Sequence, residues 1–282
     1  MTADFSQLGL HPGIAQAAAD QGYKKPTEVQ TQVIPWMLTG KDLLVQSQTG
    51  SGKTAAFAFP IIHDLIAQNS RDLVHTLVLA PTRELAIQVA RAIEDYGRSL
   101  KVRVLPVYGG QNYSTSRRKL KQGVDIVVGT PGRLQDLMKQ GILDISGIRI
   151  LILDEADEML SMGFIEDVEN ILKHTPDGRQ SCLFSATLPG AIRRLADRYL
   201  IDPETVMIKR QHLTVDSVDQ RWYLINSNDK LAGLTRLLEF EEAGTTLVFT
   251  KTRKGSSKLA AELNQRGYRA EALNGDLSQD AR

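Results

Sequence analysis

Cysteine is nearly absent from this chain: Cys182 is the only one among 282 residues. A single cysteine excludes an internal disulfide framework and a cysteine-based zinc cluster, and it is typical of a protein in a reducing compartment. Long apolar runs are also lacking, since no stretch approaches the ~18–20 residues that a bilayer-spanning helix needs. The acidic, polar N-terminus has no basic segment followed by an apolar one, so no secretory signal is indicated. We therefore expect a cytoplasmic protein without a membrane partner.

The chain has little excess charge of either sign. Lysine and arginine number 34, aspartate and glutamate 33, and the net charge is +1. A nucleic-acid partner would therefore have to contact a local basic surface, because the whole chain offers no basic footprint. The cluster Arg117-Arg118-Lys119 with Lys121 is more typical of a solvated helix face than of such a contact, and both interpretations stay open.

Short apolar segments alternate with helical patterns along the chain. The predicted strands are Leu43–Gln46, Thr76–Ala80, Val102–Val107, Ile126–Gly129, Ile150–Leu153, Ser181–Phe184 and Val206–Ile208, with helices such as Arg83–Ser99 and Ile192–Tyr199 between them. This alternation predicts an α/β fold with a mostly parallel sheet and helices on both faces. After a polar linker at 210–219 the pattern restarts, with strands expected at Gln220–Ile225, Thr245–Thr250 and Arg269–Leu273.

The segment after the first predicted strand is rich in glycine and hydroxyl residues. It consists of Ser47, Gln48, Thr49, Gly50, Ser51, Gly52, Lys53 and Thr54, and a helical pattern follows it. A strand, a glycine-rich loop and a helix form the context that a phosphate-binding P-loop requires. Lys53 would reach the β- and γ-phosphates, and the Thr54 hydroxyl would hold a metal ion. We predict a site for a nucleoside triphosphate with Mg²⁺.

Acidic residues follow the predicted strand Ile150–Leu153. They form the segment Asp154-Glu155-Ala156-Asp157. The carboxyl ends of strands in open α/β sheets face the ligand crevice, and adjacent carboxylates there favour a cation such as Mg²⁺. The alternative is an exposed acidic turn that begins the next helix.

These motifs and several others resemble those of the DEAD-box ATP-dependent RNA helicases, and the likeness extends over essentially the whole chain. The resemblance implies a Q-motif region at 1–32, a RecA-like ATP-binding domain at 33–209, and a partial second RecA-like domain at 220–282. Within the Q-motif region, Phe5 and the segment Gly22 to Gln30 carry the likeness.

The Q motif implies recognition of adenine. The Gln30 amide would hydrogen-bond the edge of the base, because an amide offers a donor and an acceptor together. An aromatic ring, Phe5 or Tyr23, would stack on the base, and the site would prefer ATP to GTP. The alternative is that both rings are core aromatics and that Gln30 lies on a helix surface.

The resemblance also implies an RNA-binding surface that contacts the phosphate backbone. In the first domain its residues are Pro81, Thr82, Arg83, Gly109, Gly110, Thr130, Pro131, Gly132 and Arg133, all just after predicted strands. In the second they are Thr250, Arg253, Gly275, Asp276, Gln279 and Arg282. Backbone N–H groups, hydroxyls and arginines position phosphates without reading bases. Thr130 could instead, or in addition, cap a helix.

In the implied mechanism Lys53, Thr54 and Asp154 hold Mg-ATP, and Glu155 orients or deprotonates the attacking water. Hydrogen bonds of Ser185 and Thr187 to Asp157 would couple the nucleotide site to strand separation. Capping of the following helix is the alternative role for those hydroxyls.

The family's last two motifs, which supply arginines to the γ-phosphate, have no counterpart in these 282 residues. We therefore expect a shortened form that binds ATP and RNA but hydrolyses little, with protein partners possible through the missing C-terminal region. Two alternatives stay open: an ATP-gated RNA clamp or scaffold, and a DNA-directed helicase of the same superfamily.

Overall fold

The computed structural model of this protein describes residues 4–67, 73–208, 218–241, 244–277 and 281. The chain divides into two compact units, one ending at Leu213 and one beginning at Thr214. Most of the predicted linker at 210–219, together with Gln279 and Arg282, lies outside the described residues. The predictions made for those positions therefore stay predictions.

A seven-stranded parallel sheet organises the first unit. Its strands are β1 (Leu43–Gln46), β2 (Thr76–Leu79), β3 (Val104–Val107), β4 (Ile126–Gly129), β5 (Ile150–Leu153), β6 (Gln180–Ser185) and β7 (Glu204–Met207). Their order across the sheet is β3-β4-β2-β5-β6-β1-β7, and every neighbouring pair is parallel. Each predicted strand of this unit forms, with ends that differ by at most two residues, and the predicted fold class is confirmed.

The helices of this unit precede β1 or connect the parallel strands. They are α1 (Pro12–Asp20), α2 (Glu28–Leu38), α3 (Lys53–Ala67), α4 (Arg83–Tyr96), α5 (Tyr113–Lys121), α6 (Pro131–Lys139), α7 (Ala156–Ser161), α8 (Ile165–Leu172) and α9 (Gly190–Tyr199). Single 3₁₀ turns occur at Phe5–Leu8 and Arg98–Leu100. The predicted helix Arg83–Ser99 ends earlier, at Tyr96, because the chain turns at Gly97 into the second of these turns.

Helices cover both faces of the sheet, and the strands show why. Successive side chains of a strand point to opposite faces. Leu77 and Leu79 of β2 belong to one buried cluster, whereas Val78 and the following Ala80 belong to another. Both faces are therefore apolar, and continuous apolar strands are the expected result.

The second unit contains helices where the sequence predicts them but no strand among its described residues. Its helices are α10 (Lys230–Phe240) and α11 (Arg253–Gln265), with a 3₁₀ turn at Ser227–Asp229. The prediction of strands at Gln220–Ile225, Thr245–Thr250 and Arg269–Leu273 is wrong for this structure. A strand exists through its backbone pairing, and the apolar side chains of these segments are largely unburied: Leu224 is 95% exposed and Phe249 89%.

The single thiol gives a direct test of the packing of the first unit. Cys182 lies on β6 between Leu43 of β1 and Ile152 of β5, and its side chain is fully buried. Burial raises the pKa of the Cys182 thiol well above its usual range. We expect the native chain to resist a thiol-specific reagent at neutral pH and the unfolded chain to react with one equivalent, since the thiolate is the reactive form. Rapid labelling of the native chain would contradict this packing.

Candidate active site at the carboxyl edge of the sheet

The predicted P-loop connects β1 to α3 at the carboxyl edge of the sheet. Gly50 and Gly52 have positive φ angles of 76° and 94°, which glycine adopts without a steric penalty. The Ser47 N–H donates to the Ser185 carbonyl at 3.0 Å and fixes the start of the loop to β6. Gln48 and Thr49 are exposed at its tip. The loop therefore has the turns that bring backbone N–H groups to face an anion.

The two residues that begin α3 are the predicted phosphate and metal ligands. Lys53 is 7% exposed, and its Nζ donates to the Ser47 carbonyl at 3.5 Å. Thr54 is half-buried in the first turn of the helix. A helix N-terminus attracts anions through its unpaired N–H groups. Lys53 and this N-terminus thus place positive potential on the same side of the loop.

Asp154 is the buried carboxylate that follows β5. It is 2% exposed, and its Oδ1 has no hydrogen-bond donor among the described residues. Burial raises the pKa of Asp154 to about 6, and the positive charge of Lys53 acts in the opposite direction. Burying a carboxylate oxygen without a hydrogen-bond donor destabilises the folded protein unless a cation binds the oxygen.

The residues present fit a magnesium ion. Among the described residues, no group of three or more histidine, cysteine, aspartate or glutamate side chains could hold a metal. Mg²⁺ does not need such a cage, since it commonly binds one or two carboxylates together with phosphate oxygens and water. Asp154 and Thr54 supply an unpaired carboxylate oxygen and a hydroxyl of the required type.

Glu155 stands in an unusual backbone conformation. Its φ and ψ are 52° and 53°, in the left-handed region, and it occupies the N-cap position of α7. Such a conformation costs a residue other than glycine about 1–2 kcal/mol. The acidic start of a helix, which the sequence offered as an alternative, is therefore also present, with Asp157 in the first turn.

Asp157, Ser185 and Thr187 are brought together by hydrogen bonds between α7 and the end of β6. The Asp157 carboxylate accepts hydrogen bonds from the Thr187 N–H and hydroxyl, both at 2.8 Å. The Asp157 N–H donates to the Ser185 hydroxyl at 3.2 Å, and that hydroxyl donates to the Thr187 carbonyl at 2.6 Å. Burial raises the pKa of Asp157, but the hydrogen bonds from Thr187 and Ser185 outweigh it and the pKa is lowered.

Gln30 is fully buried and ties the Q-motif region to the P-loop. Its Oε1 accepts a hydrogen bond from the Thr27 N–H at 2.9 Å, and its Nε2 donates to the Gly52 carbonyl at 3.1 Å. Thr27 and Gln30 form a capping box at the start of α2. The prediction missed this link, although the Thr-x-x-Gln spacing is the signal of such a box. The surface position offered as the alternative for Gln30 is wrong.

The two predicted base-stacking aromatics belong to one aromatic cluster, with 6.3 Å between their centroids, but differ in exposure. Phe5 is 3% exposed and meets the Phe59 ring edge-on, with 5.6 Å between centroids. The Tyr23 ring is half-buried, and its hydroxyl lies 2.8 Å from that of Tyr96. Phe5 therefore lies in the core, as the alternative had it, because a ring so enclosed has no free face for a base. The proposed stacking role rests on Tyr23.

Three predicted RNA-binding loops lie side by side, because β3, β4 and β2 are neighbours in the sheet. Pro81, Thr82 and Arg83 follow β2, and Thr82 caps α4 by accepting from the Leu85 N–H at 3.2 Å. Gly109 and Gly110 follow β3 and are exposed. Thr130, Pro131 and Gly132 lead into α6, at whose N-cap Thr130 stands. The Arg83 guanidinium lies 4.4 Å from the centroid of the Tyr108 ring.

Arg133 differs from the other predicted RNA contacts, because it is only 8% exposed. Its guanidinium stacks 3.6 Å from the centroid of the Tyr113 ring and donates to the Gln111 carbonyl. The prediction did not include Tyr108, Gln111 or Tyr113. No sequence signal identifies them, since the contacts join segments about twenty residues apart.

In the second unit the described members of the predicted RNA surface lie close together. Arg253 forms an ion pair with Asp276. A Cβ placed on Gly275 would lie 3.4 Å from the Arg253 Cδ. Thr250 donates from its hydroxyl to the Thr252 carbonyl at 3.2 Å, and Thr252 caps α11.

The geometry defines a P-loop nucleotide-binding α/β domain. The DEAD/DEAH box helicase family model matches residues 27–195, and the chain belongs to that family. It is 46% identical to the ATP-dependent RNA helicase DeaD of Escherichia coli strain K12 over 279 residues, 99% of this chain and 44% of that protein. It is 45% identical to the DEAD-box ATP-dependent RNA helicase CshA of Geobacillus kaustophilus over 278 residues, 99% of this chain and 59% of that protein. The chain thus spans about half the length of these curated relatives.

Solved structures of other proteins are also similar to this chain. A DEAD box protein from the hyperthermophile Methanococcus jannaschii is similar with a TM-score of 0.70 and 38% identity, covering 98% of this chain and 74% of that one. A variant of S. cerevisiae Dbp5 bound to RNA and ADP BeF3 is similar with a TM-score of 0.86 and 29% identity, covering 99% of this chain and 71% of that one. No helix in the described part of the chain has the length and apolar character to cross a membrane.

A pair of glycine substitutions tests the link between Gln30 and the P-loop. Gly50→Ala and Gly52→Ala both place a side chain at a positive φ. Only at Gly52 would the new Cβ meet a neighbour, the Gln30 Nε2 at 2.6 Å, because nothing lies within 4 Å at Gly50. We expect Gly52→Ala to weaken ATP binding by about 10-fold more than Gly50→Ala, which pays the left-handed backbone penalty alone. Equal affinities, measured by titration calorimetry, would show that the Gln30 contact does not matter.

Proposed function

We propose that this protein is part of an ATP-dependent RNA helicase, in which RNA stimulates ATP hydrolysis and hydrolysis is coupled to local unwinding of short duplexes. The observation that carries the proposal is the buried Asp154, whose unpaired Oδ1 shares the P-loop site with Lys53. The hydrogen bonds that Thr187 donates to the Asp157 carboxylate connect that site to the end of β6.

Lys53 binds the β- and γ-phosphates of ATP, with the P-loop N–H groups around them. Thr54 and Asp154 hold Mg²⁺, which when bound neutralises charge on the phosphate oxygens. Glu155 accepts a proton from the attacking water as general base. Tyr23 stacks on the adenine and Gln30 recognises its edge, so the Q-motif region selects ATP.

RNA binds through its phosphates along the three adjacent loops of the first unit. The groups available are the Thr82 and Thr130 hydroxyls, the backbone of Gly109 and Gly110, and the partly exposed Arg83. In the second unit the proposed phosphate contacts are Thr250, Arg253, Gly275 and Asp276, and Gln279 and Arg282 stay predicted members. Support comes from the relatives named as RNA helicases and from the Dbp5 structure that contains RNA.

The organisation that we propose keeps the predicted limits. Residues 1–32 form the Q-motif region, 33–209 the ATP-binding domain, 210–219 the linker, and 220–282 part of a second RecA-like domain. We place the protein in the cytoplasm and propose that protein partners bind through regions outside these residues.

The decisive experiment compares ATP turnover with single-stranded RNA, with DNA of the same sequence, and without nucleic acid. We expect a form with two complete lobes to be stimulated by RNA. Equal stimulation by DNA would favour the DNA-directed alternative. Long retention on RNA with a non-hydrolysable ATP analogue, without strand separation, would favour the clamp.

The 282-residue chain itself gives a second test. We expect it to bind ATP and RNA but to hydrolyse ATP slowly and to unwind nothing, because the motifs that supply arginines to the γ-phosphate have no counterpart in these residues. Such arginines contribute on the order of 10³–10⁵ in rate in related phosphoryl transfer. Robust RNA-stimulated turnover by this chain would contradict that expectation.

A further inference from the structure

A buried arginine from a different segment, Arg133, contacts the loop Tyr108–Asn112, which carries Gly109 and Gly110. Arg133 at the start of α6 donates to the Gln111 carbonyl and stacks on Tyr113, the first residue of α5. We infer that Arg133 and Tyr113 are positioning residues that hold this loop in its RNA-binding shape, and that Arg133 is not itself a phosphate contact. The inference rests on the proposed RNA-binding function.

The burial of Arg133 distinguishes its proposed role from that of Arg83. A phosphate contact needs guanidinium N–H groups that reach solvent, and Arg133 is only 8% exposed with its plane covered by the Tyr113 ring. The Nε atoms of both arginines are buried without an acceptor among the described residues, so the difference lies in the exposure of the rest of the side chain. Arg83 is partly exposed, and its Nη1 lies 3.9 Å from where a Cβ of Gly110 would stand. Arg83 therefore remains the arginine that faces the phosphates.

The loop is built so that its ends are fixed and its glycines are open. Gln111 accepts at Oε1 from the Tyr108 N–H at 3.2 Å and donates from Nε2 to the Pro106 carbonyl at 3.3 Å. Asn112 caps α5 by accepting from the Ser114 N–H at 3.0 Å. The N–H groups of Gly109 and Gly110 have no acceptor within the described parts of the chain. Exposed N–H groups held in a fixed turn are a phosphate-binding arrangement.

Arg133 completes this arrangement because Gln111, which bonds inward to β3, is also the residue whose carbonyl it holds. Loss of either half of the Arg133–Tyr113 stack would free that carbonyl and loosen the turn. The charge of Arg133 would then matter for RNA only through the loop. An aromatic ring at 113 should suffice for this role, because a cation stacks on the face of Phe as well as Tyr.

The experiment uses the 282-residue chain and a fluorescent oligouridylate, with affinity measured as a function of salt. We expect Tyr113→Leu and Arg133→Gln each to weaken binding by roughly 10-fold, the double variant to be no weaker than either, and Tyr113→Phe to stay within about 2-fold of the parent. For single strands each phosphate contact contributes about 0.7 to the slope of log affinity against log salt. Arg83→Gln, the matched control, should lower that slope by this amount, whereas Arg133→Gln should leave it unchanged.

Hydrogen exchange of residues 108–112 provides a readout that needs no RNA. We expect faster exchange in Tyr113→Leu and Arg133→Gln, parental exchange in Tyr113→Phe, and parental ATP-analogue affinity and melting temperature in Tyr113→Leu, whose side chain is surface-accessible. Parental exchange and RNA affinity in Tyr113→Leu would overturn the inference, as would a lowered salt slope in Arg133→Gln. If the parent chain bound no RNA, the RNA-binding proposal would fail by itself, and the exchange data would still decide whether the stack holds the loop.

Discussion

Replacing Glu155 by glutamine is expected to lower RNA-stimulated ATP turnover by about 10²- to 10⁴-fold, the range that a general base contributes. Glutamine keeps the shape of the side chain but cannot accept a proton from water. The residue directly follows Asp154, the carboxylate that we propose holds the metal, and is half-buried at the start of α7. The affinities for Mg-ATP and for RNA should change little, because Glu155 is not a ligand for either in the proposed mechanism.

The measurement is steady-state ATP hydrolysis at saturating RNA, in a form of the protein that hydrolyses ATP. Glu158→Gln is the matched control, since Glu158 is an exposed carboxylate one turn further along α7. It should leave turnover within about 2-fold of the parent, as expected for a surface substitution. Parental turnover in Glu155→Gln would exclude Glu155 as the base, and an equal loss in both variants would point to a general effect of charge.

The sheet of the first unit was predictable because local pattern and tertiary environment agree there. Strands such as Ile150–Leu153 are apolar on both faces and are buried on both faces. The segment Thr245–Thr250 shows a similar apolar pattern, yet no strand forms, and Leu247 and Phe249 are exposed. A pattern states which residues could enter a sheet, whereas pairing depends on neighbouring strands that the pattern does not contain.

The residues of the candidate site also differ in how well the sequence predicts their structure. The turns of the P-loop follow from Gly50 and Gly52 themselves, so the sequence was sufficient to predict them. The environments of Phe5 and Arg133 depend on distant partners. Phe5 packs on Phe59, and Arg133 stacks on Tyr113. The local spacing of residues in the sequence predicts neither contact. The sequence thus predicts the conformation of a motif reliably where the backbone determines it. It predicts the environment of a side chain less reliably where distant residues in the fold determine its contacts.

Asp154→Asn is expected to stabilise the ligand-free chain and to remove most of its stabilisation by Mg-ATP. A carboxyl whose pKa rises to about 6 on folding opposes folding by about 3 kcal/mol at neutral pH. That penalty is absent below about pH 4, where the carboxyl is protonated in both states, and complete above the folded pKa. The neutral amide removes it but leaves a buried polar atom without a partner, at about 1–3 kcal/mol, so we expect a net gain of roughly 1 kcal/mol.

Ligand should reverse this order of stabilities, because Asp154 is the carboxylate that we propose holds the metal. Saturating Mg-ATP at 100 times its dissociation constant stabilises the parent by about 2.7 kcal/mol, whereas a variant with about 100-fold weaker binding gains only about 0.4 kcal/mol. Thermal melting with and without Mg-ATP measures both values, with Asp157→Asn as a control that removes a neighbouring carboxylate already bonded to Thr187. Asp157→Asn should melt below the parent without ligand and still respond to it. If Asp154→Asn instead melted lower without ligand and responded normally to Mg-ATP, Asp154 would be a structural carboxylate and the metal would lie elsewhere. A buried charge that weakens the free protein and strengthens the bound one is the expected signature of a site that needs its cation.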